Sequence, residues 1–80
     1  MTVSEAVLKR INKLLKQKNM TFYRLEIKSG ILHGTLSAIR YGTSKNITLK
    51  TIMQLAKGFE ITLLEFLDDP IFDIENFNLE

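Results

Sequence analysis

Apolar side chains recur at helical spacing through residues 3–67, in five blocks separated by polar connections of two to seven residues. In the first block Val7, Leu8, Ile11, Leu14 and Leu15 fall on one stripe, which predicts an amphipathic helix stopping near residues 17–19. Ser4 is its expected N-cap, with Val3 and Leu8 placed to form a hydrophobic staple. Thr21 caps a second, shorter helix to about Lys28 that turns Leu25 and Phe22 inward. Gly30 follows, where a positive φ ends the helix and turns the chain sharply. A third helix over residues 32–41 directs Leu36 and Ile39 inward, with Gly42 just past its end. Thr48 caps a fourth whose Leu49, Ile52, Met53, Leu55 and Ala56 make a wide apolar face, closed by Gly58. Thr62 and Glu65 have the form of a capping box opening a fifth helix with Leu63, Leu64, Phe66 and Leu67, which Pro70 terminates. The expected fold is all-α and compact: five helices in one domain over residues 1–69. A tail over residues 70–80 follows, in which Ile71, Phe72, Ile74, Phe77 and Leu79 alternate with acids at neither a helical nor a strand period.

Length agrees with this. Eighty residues are one domain, and 45% apolar with 25% charged residues is ordinary globular composition. The absence of cysteine excludes disulfides, thiolate metal sites and cysteine nucleophiles. No apolar run approaches the about 20 residues that span a bilayer, and the N-terminal residues lack the layout of a secretory signal. A cytoplasmic location is the expectation.

The net charge of +2 conceals a segregation. Residues 1–58 hold all 11 Lys and Arg and only Glu5 and Glu26, a balance of +9. Residues 59–80 hold Glu60, Glu65, Asp68, Asp69, Asp73, Glu75 and Glu80 with no Lys or Arg, a balance of −7. A body this basic suits a polyanion, nucleic acid first and an anionic membrane second. Lysines that only solvate the outer face of a helix, such as Lys9, Lys13 and Lys16, explain the composition equally well.

Residues 21–42, TFYRLEIKSGILHGTLSAIRYG, discriminate between these readings. A short helix, a glycine turn and a second short helix make a helix-turn-helix, whose second helix enters the DNA major groove. The turn at Ser29, Gly30 and Ile31 lets Leu25, Ile31, Leu36 and Ile39 pack between the helices and leaves the far face of the third helix free. With Thr21, Leu25, the Ser29-Gly30-Ile31 turn, Leu36, Ile39 and Gly42, the chain resembles the lambda-repressor/Cro-like (xenobiotic-response-element type) helix-turn-helix regulators. The run KNITLKTI at 45–52, Leu55-Ala56-Lys57 and ITLLEF at 61–66 extend that resemblance over roughly residues 4–68. Three positions depart from the family pattern. Glu26 stands where a small residue is usual, so its carboxylate must bend outward or pair, a lysine being the expected partner. Leu32 replaces a polar helix cap, and Phe22 stands where a polar residue is common.

The resemblance implies a sequence-specific binder of double-stranded DNA, acting as a transcriptional regulator and most simply as a repressor that excludes polymerase from its operator. It places His33, Gly34, Thr35, Ser37 and Ala38 against base edges. Thr35 offers a hydroxyl to a base or a methyl to thymine, and Gly34 allows close backbone approach. No Arg, Gln or Asn leads the helix, so modest direct readout supplemented by DNA shape is expected. Phosphate contacts fall to Thr21 and Tyr23, to Arg40 and Tyr41, and to the Thr43, Ser44, Lys45 and Asn46 loop with its backbone N–H groups. One short helix reads few base pairs, so a homodimer through the fifth helix and tail is expected, with half-sites about 34 Å apart.

An enzyme is not expected. His33 is the single histidine, and His33 with Ser37 lacks an evident orienting carboxylate. No metal-spaced cluster or phosphate-cradling glycine loop is present, so no cofactor or metal is expected, and Asp68 and Asp69 read as a solvated helix end. The competing class is an antitoxin-like or adaptor module whose tail binds another protein.

Overall fold

The computed structural model describes residues 1–79 and contains α1 (Val3–Gln17), α2 (Phe22–Ser29), α3 (His33–Arg40), α4 (Leu49–Gly58) and α5 (Leu63–Leu67). Two 3-10 turns, Pro70–Phe72 and Ile74–Asn76, follow, and no strand occurs among the described residues. The all-α, five-helix arrangement expected from the apolar spacing is the one observed.

Threonines set most of the helix starts. Thr2, Thr21, Thr48 and Thr62 each accept, at the side-chain oxygen, the backbone N–H three residues on. Only α3 among the described α-helices opens without a side-chain cap, on Leu32. The start of α1 corrects an expectation. Thr2 and Glu5 form a reciprocal capping box, which Ser4 with Val7 three residues later cannot do, so the helix begins two residues before Ser4 would allow. Ser4 instead sits in the first turn with its hydroxyl buried and unpartnered, and Val3 is a partly exposed helical residue rather than a staple.

The core joins Val7, Ile11, Leu14 and Leu15 of α1 to Leu25, Ile31, Leu36, Ile39, Leu55, Ala56, Phe59 and Phe66. α2 packs chiefly on α4, α4 on α5, and α1 on α3 and on the Pro70–Phe72 turn. The apolar stripe of α4 is wider than the surface its neighbours cover, so Leu49 and Met53 at its edge are exposed. Gly58 also departs from expectation: it lies within α4, Phe59 is the C-cap, and the positive φ falls on Glu60. Its glycine is required by proximity. A Cβ there would stand 2.9 Å from both Leu25 Cδ1 and Ser29 Cβ, so α2 and α4 touch at this point.

Arg10 joins the two ends of the domain. From within the protein its Nε donates to the Phe66 carbonyl at 2.8 Å and Nη2 to the Glu65 carbonyl at 2.8 Å. Its Nη1 meets Asp69 Oδ2 at 3.2 Å, and Lys13 Nζ reaches the same oxygen at 2.7 Å. One arginine therefore satisfies the open carbonyls at the end of α5 and anchors the chain that follows. Asp69 is thus half-buried and paired rather than solvated, while Asp68 is exposed as expected. Asp69 Oδ1 also accepts the Ile71 N–H, and Phe72 packs on the core with its ring 6.1 Å from that of Phe66. Ile74 and Leu79 remain exposed, and Glu80 of the tail lies outside the described residues.

Candidate nucleic-acid interface

The turn before α3 is built from backbone geometry and one hydroxyl. Gly30 adopts φ +72° and its N–H caps α2 by donating to Glu26 O. Buried Ser29 accepts the Ile31 N–H and donates to the Glu26 carbonyl. Ile31 then enters the core, and Leu36 and Ile39 anchor α3 from below. The outer edge of α3 is left to solvent: His33, Gly34 and Thr35 are exposed, and Ser37 and Ala38 are half-buried. All five base-contact candidates lie on one helix, with the leading three most accessible. Leu32, just before them, is 77% exposed and gives the edge an apolar tip, a position the sequence marked only as a missing cap.

Between α2 and α3 runs a shallow groove of about 140 Å³ lined by Phe22, Tyr23, Glu26, His33, Ser37 and Arg40. Glu26 meets its requirement for a partner here, through His33 and not through a lysine. Glu26 Oε1 lies 2.5 Å from His33 Nδ1, and Ser37 Oγ lies 3.4 Å from His33 Nε2. The sharp turn at Gly30 brings positions 26 and 33 together, while the nearby Lys28 pairs with Glu60 instead. The orienting carboxylate that sequence alone did not supply for His33 is therefore Glu26. The His33 ring is open to solvent at the edge of the helix.

Arg40 is held at the far end of the groove. Its guanidinium lies 4.8 Å from the Phe22 ring centroid and 5.4 Å from that of Tyr41. Stacking restricts the guanidinium without occupying its donors. Phe22 thus serves as a half-buried platform as well as a core residue.

The remaining phosphate candidates divide. Thr21 is exposed but its oxygen caps α2 through the Arg24 N–H. Tyr23, Lys45 and Asn46 are exposed. The backbone N–H groups of Thr43 and Ser44, expected to face a phosphate, both donate to the Ala38 carbonyl, at 2.9 and 3.1 Å, and the Thr43 hydroxyl donates there too. The loop folds back to close the last turn of α3 because those carbonyls lack helical partners.

A model of the Cro/C1-type HTH DNA-binding domain matches residues 10–70, spanning every helix that builds this surface. The chain belongs to that family. No curated protein and no solved structure gives a significant match. No group of three or more His, Cys, Asp or Glu able to hold a metal occurs among the described residues. No described helix is long and apolar enough to cross a membrane.

Proposed function

We propose that this Cro/C1-type domain is a sequence-specific transcriptional regulator that binds double-stranded DNA as a homodimer and represses by occupying operator DNA. The observation that carries the reading is the solvent-facing edge of α3, led by His33, Gly34 and Thr35, standing clear of the core that Leu36 and Ile39 enter. Lys45, Asn46, Tyr23 and the stacked Arg40 flank that edge and supply the sequence-independent share of binding. Support for the dimer is the exposed apolar set of Leu64 on α5 with Leu49 and Met53 on α4.

The adaptor reading draws its support from the apolar tail. That support is weaker than the sequence suggests, because Phe72 is on the core and Ile71 and Phe77 are half-buried.

Selection of bound sequences from a random duplex pool tests the proposal. A defined, two-fold symmetric consensus with half-sites about 34 Å apart is expected. Affinity must also fall steeply with salt, and Lys45→Ala must weaken binding to all duplexes alike while reducing the salt slope by about 1. No enrichment, or salt-independent retention, refutes the DNA reading and favours the adaptor.

A further inference from the structure

We infer that Glu26 is a positioning residue for base readout: it fixes the His33 ring so that Nε2 is the nitrogen offered to DNA. This inference rests on the DNA-binding reading of α3 and deepens it.

The His33 side chain is 82% exposed, so packing does not hold the ring. What holds it is the half-buried Glu26 carboxylate on α2, 2.5 Å from Nδ1. A carboxylate only accepts, so Nδ1 must carry the proton in both the neutral and the charged ring. The hydrogen bond at one ring nitrogen sets the role of the other. Nε2 is consequently the variable atom, bare in the neutral ring, and it faces Ser37 Oγ on the next turn of α3. Ser37 holds it weakly at 3.4 Å, and a base edge with better geometry displaces that contact.

A bare Nε2 accepts a hydrogen bond. In the major groove the matching donors are the exocyclic amino groups of adenine and cytosine. The neutral ring therefore favours A or C at the base it meets. A ring released from Glu26 exchanges between tautomers and presents donor or acceptor, losing that discrimination. The Glu26 carboxylate reaches the ring across the groove that separates α2 from α3, which is where a side chain longer than the usual small residue finds room.

His33 is the only histidine, so ring nitrogen NMR of the full chain reports on it alone. With the ring neutral, the free parent protein should show Nδ1 protonated and Nε2 bare. Glu26→Ala should move both nitrogens toward averaged values. In binding assays on parent-selected duplexes, Glu26→Ala and His33→Ala should each lower the preference at one A or C by about fivefold. The double variant should lose no more than His33→Ala alone, an outcome a merely structural Glu26 does not produce. A parent ring already averaged between tautomers, or unaltered by Glu26→Ala, overturns the inference, as does full preference in Glu26→Ala. Failure of the parent to retain any duplex refutes the DNA reading and the base-reading half with it. The ring measurement, made without DNA, separately decides whether Glu26 holds His33.

Discussion

Gly34 is the second residue of α3, its φ is not positive, and nothing of the protein lies within 4 Å of where a Cβ would project. Neither the turn nor the packing needs a glycine there. Alanine should therefore stabilise the free protein by about 0.5–1 kcal/mol, the usual helix-interior difference. If the α3 backbone lies against DNA, the same Gly34→Ala change should weaken binding to the selected operator. Thermal denaturation and operator titration of one variant check both halves, and equal operator affinity removes close backbone approach from the account. At this scale the sequence exposed the conflict at Glu26 but not its resolution. The chain shows that a carboxylate has to find a partner, while choosing His33 over a lysine requires the angle made at Gly30. Stacking of Arg40 on Phe22 was hidden for the same reason, since positions 22 and 40 become neighbours only after α2 and α3 are set against each other.

Elements were legible where a local rule decides them and obscure where a distant contact does. Periodicity and threonine caps located all five helices to within a few residues, because each depends on side chains three or four positions apart. Gly58 shows the limit: as a glycine near a helix end it suggests a C-cap, yet its neighbours in space are Leu25 and Ser29, some thirty residues earlier. Gly58→Ala should push α2 from α4 and cost about 1–3 kcal/mol, the usual range for overpacking; chemical denaturation measures it, and parent-like stability shows that the helices yield freely. Arg10 is likewise hidden by its type, a charge on a basic helix that turns out to serve α5 and Asp69. The Lys13 ammonium first, then the Ile71 N–H and the Arg10 guanidinium, hold the Asp69 carboxyl below the usual aspartate range. With the folded pKa beneath the unfolded one, this contribution is complete above the unfolded value and disappears as pH falls through the folded value. Asp69→Asn should consequently lower stability near neutral pH and flatten its decline over that acid interval. Urea melts of both proteins across the interval test this, and parallel pH profiles count against the paired carboxylate.

Across the whole molecule, the basic body and acidic C-terminal end are less separate than the linear charge map implies. Asp69 lies on Arg10 and Lys13, Glu60 Oε2 is 3.2 Å from Lys28 Nζ, and the N-terminal ammonium donates to the Asn76 carbonyl at 3.0 Å. These contacts fold the acidic end against the same body that presents α3. Asp73 and Glu75 are exposed and lie outside those ion pairs, so their field adds to solvent rather than being spent in the fold. A field of that sign opposes a polyanion at any site within reach, and its range is set by salt: about 30 Å at 0.01 M and about 8 Å at 0.15 M. We therefore expect the double change Asp73→Asn with Glu75→Gln to tighten binding to a random duplex several-fold in dilute buffer and to lose most of that gain near physiological salt. Neutralisation is the cleaner experiment than truncation, because removing the tail also removes Phe72 from the core. Fluorescence anisotropy over a salt series, with thermal stability followed in parallel, distinguishes the two effects. Equal affinity at every salt concentration means that the acidic end acts on the fold through Asp69 and not on DNA.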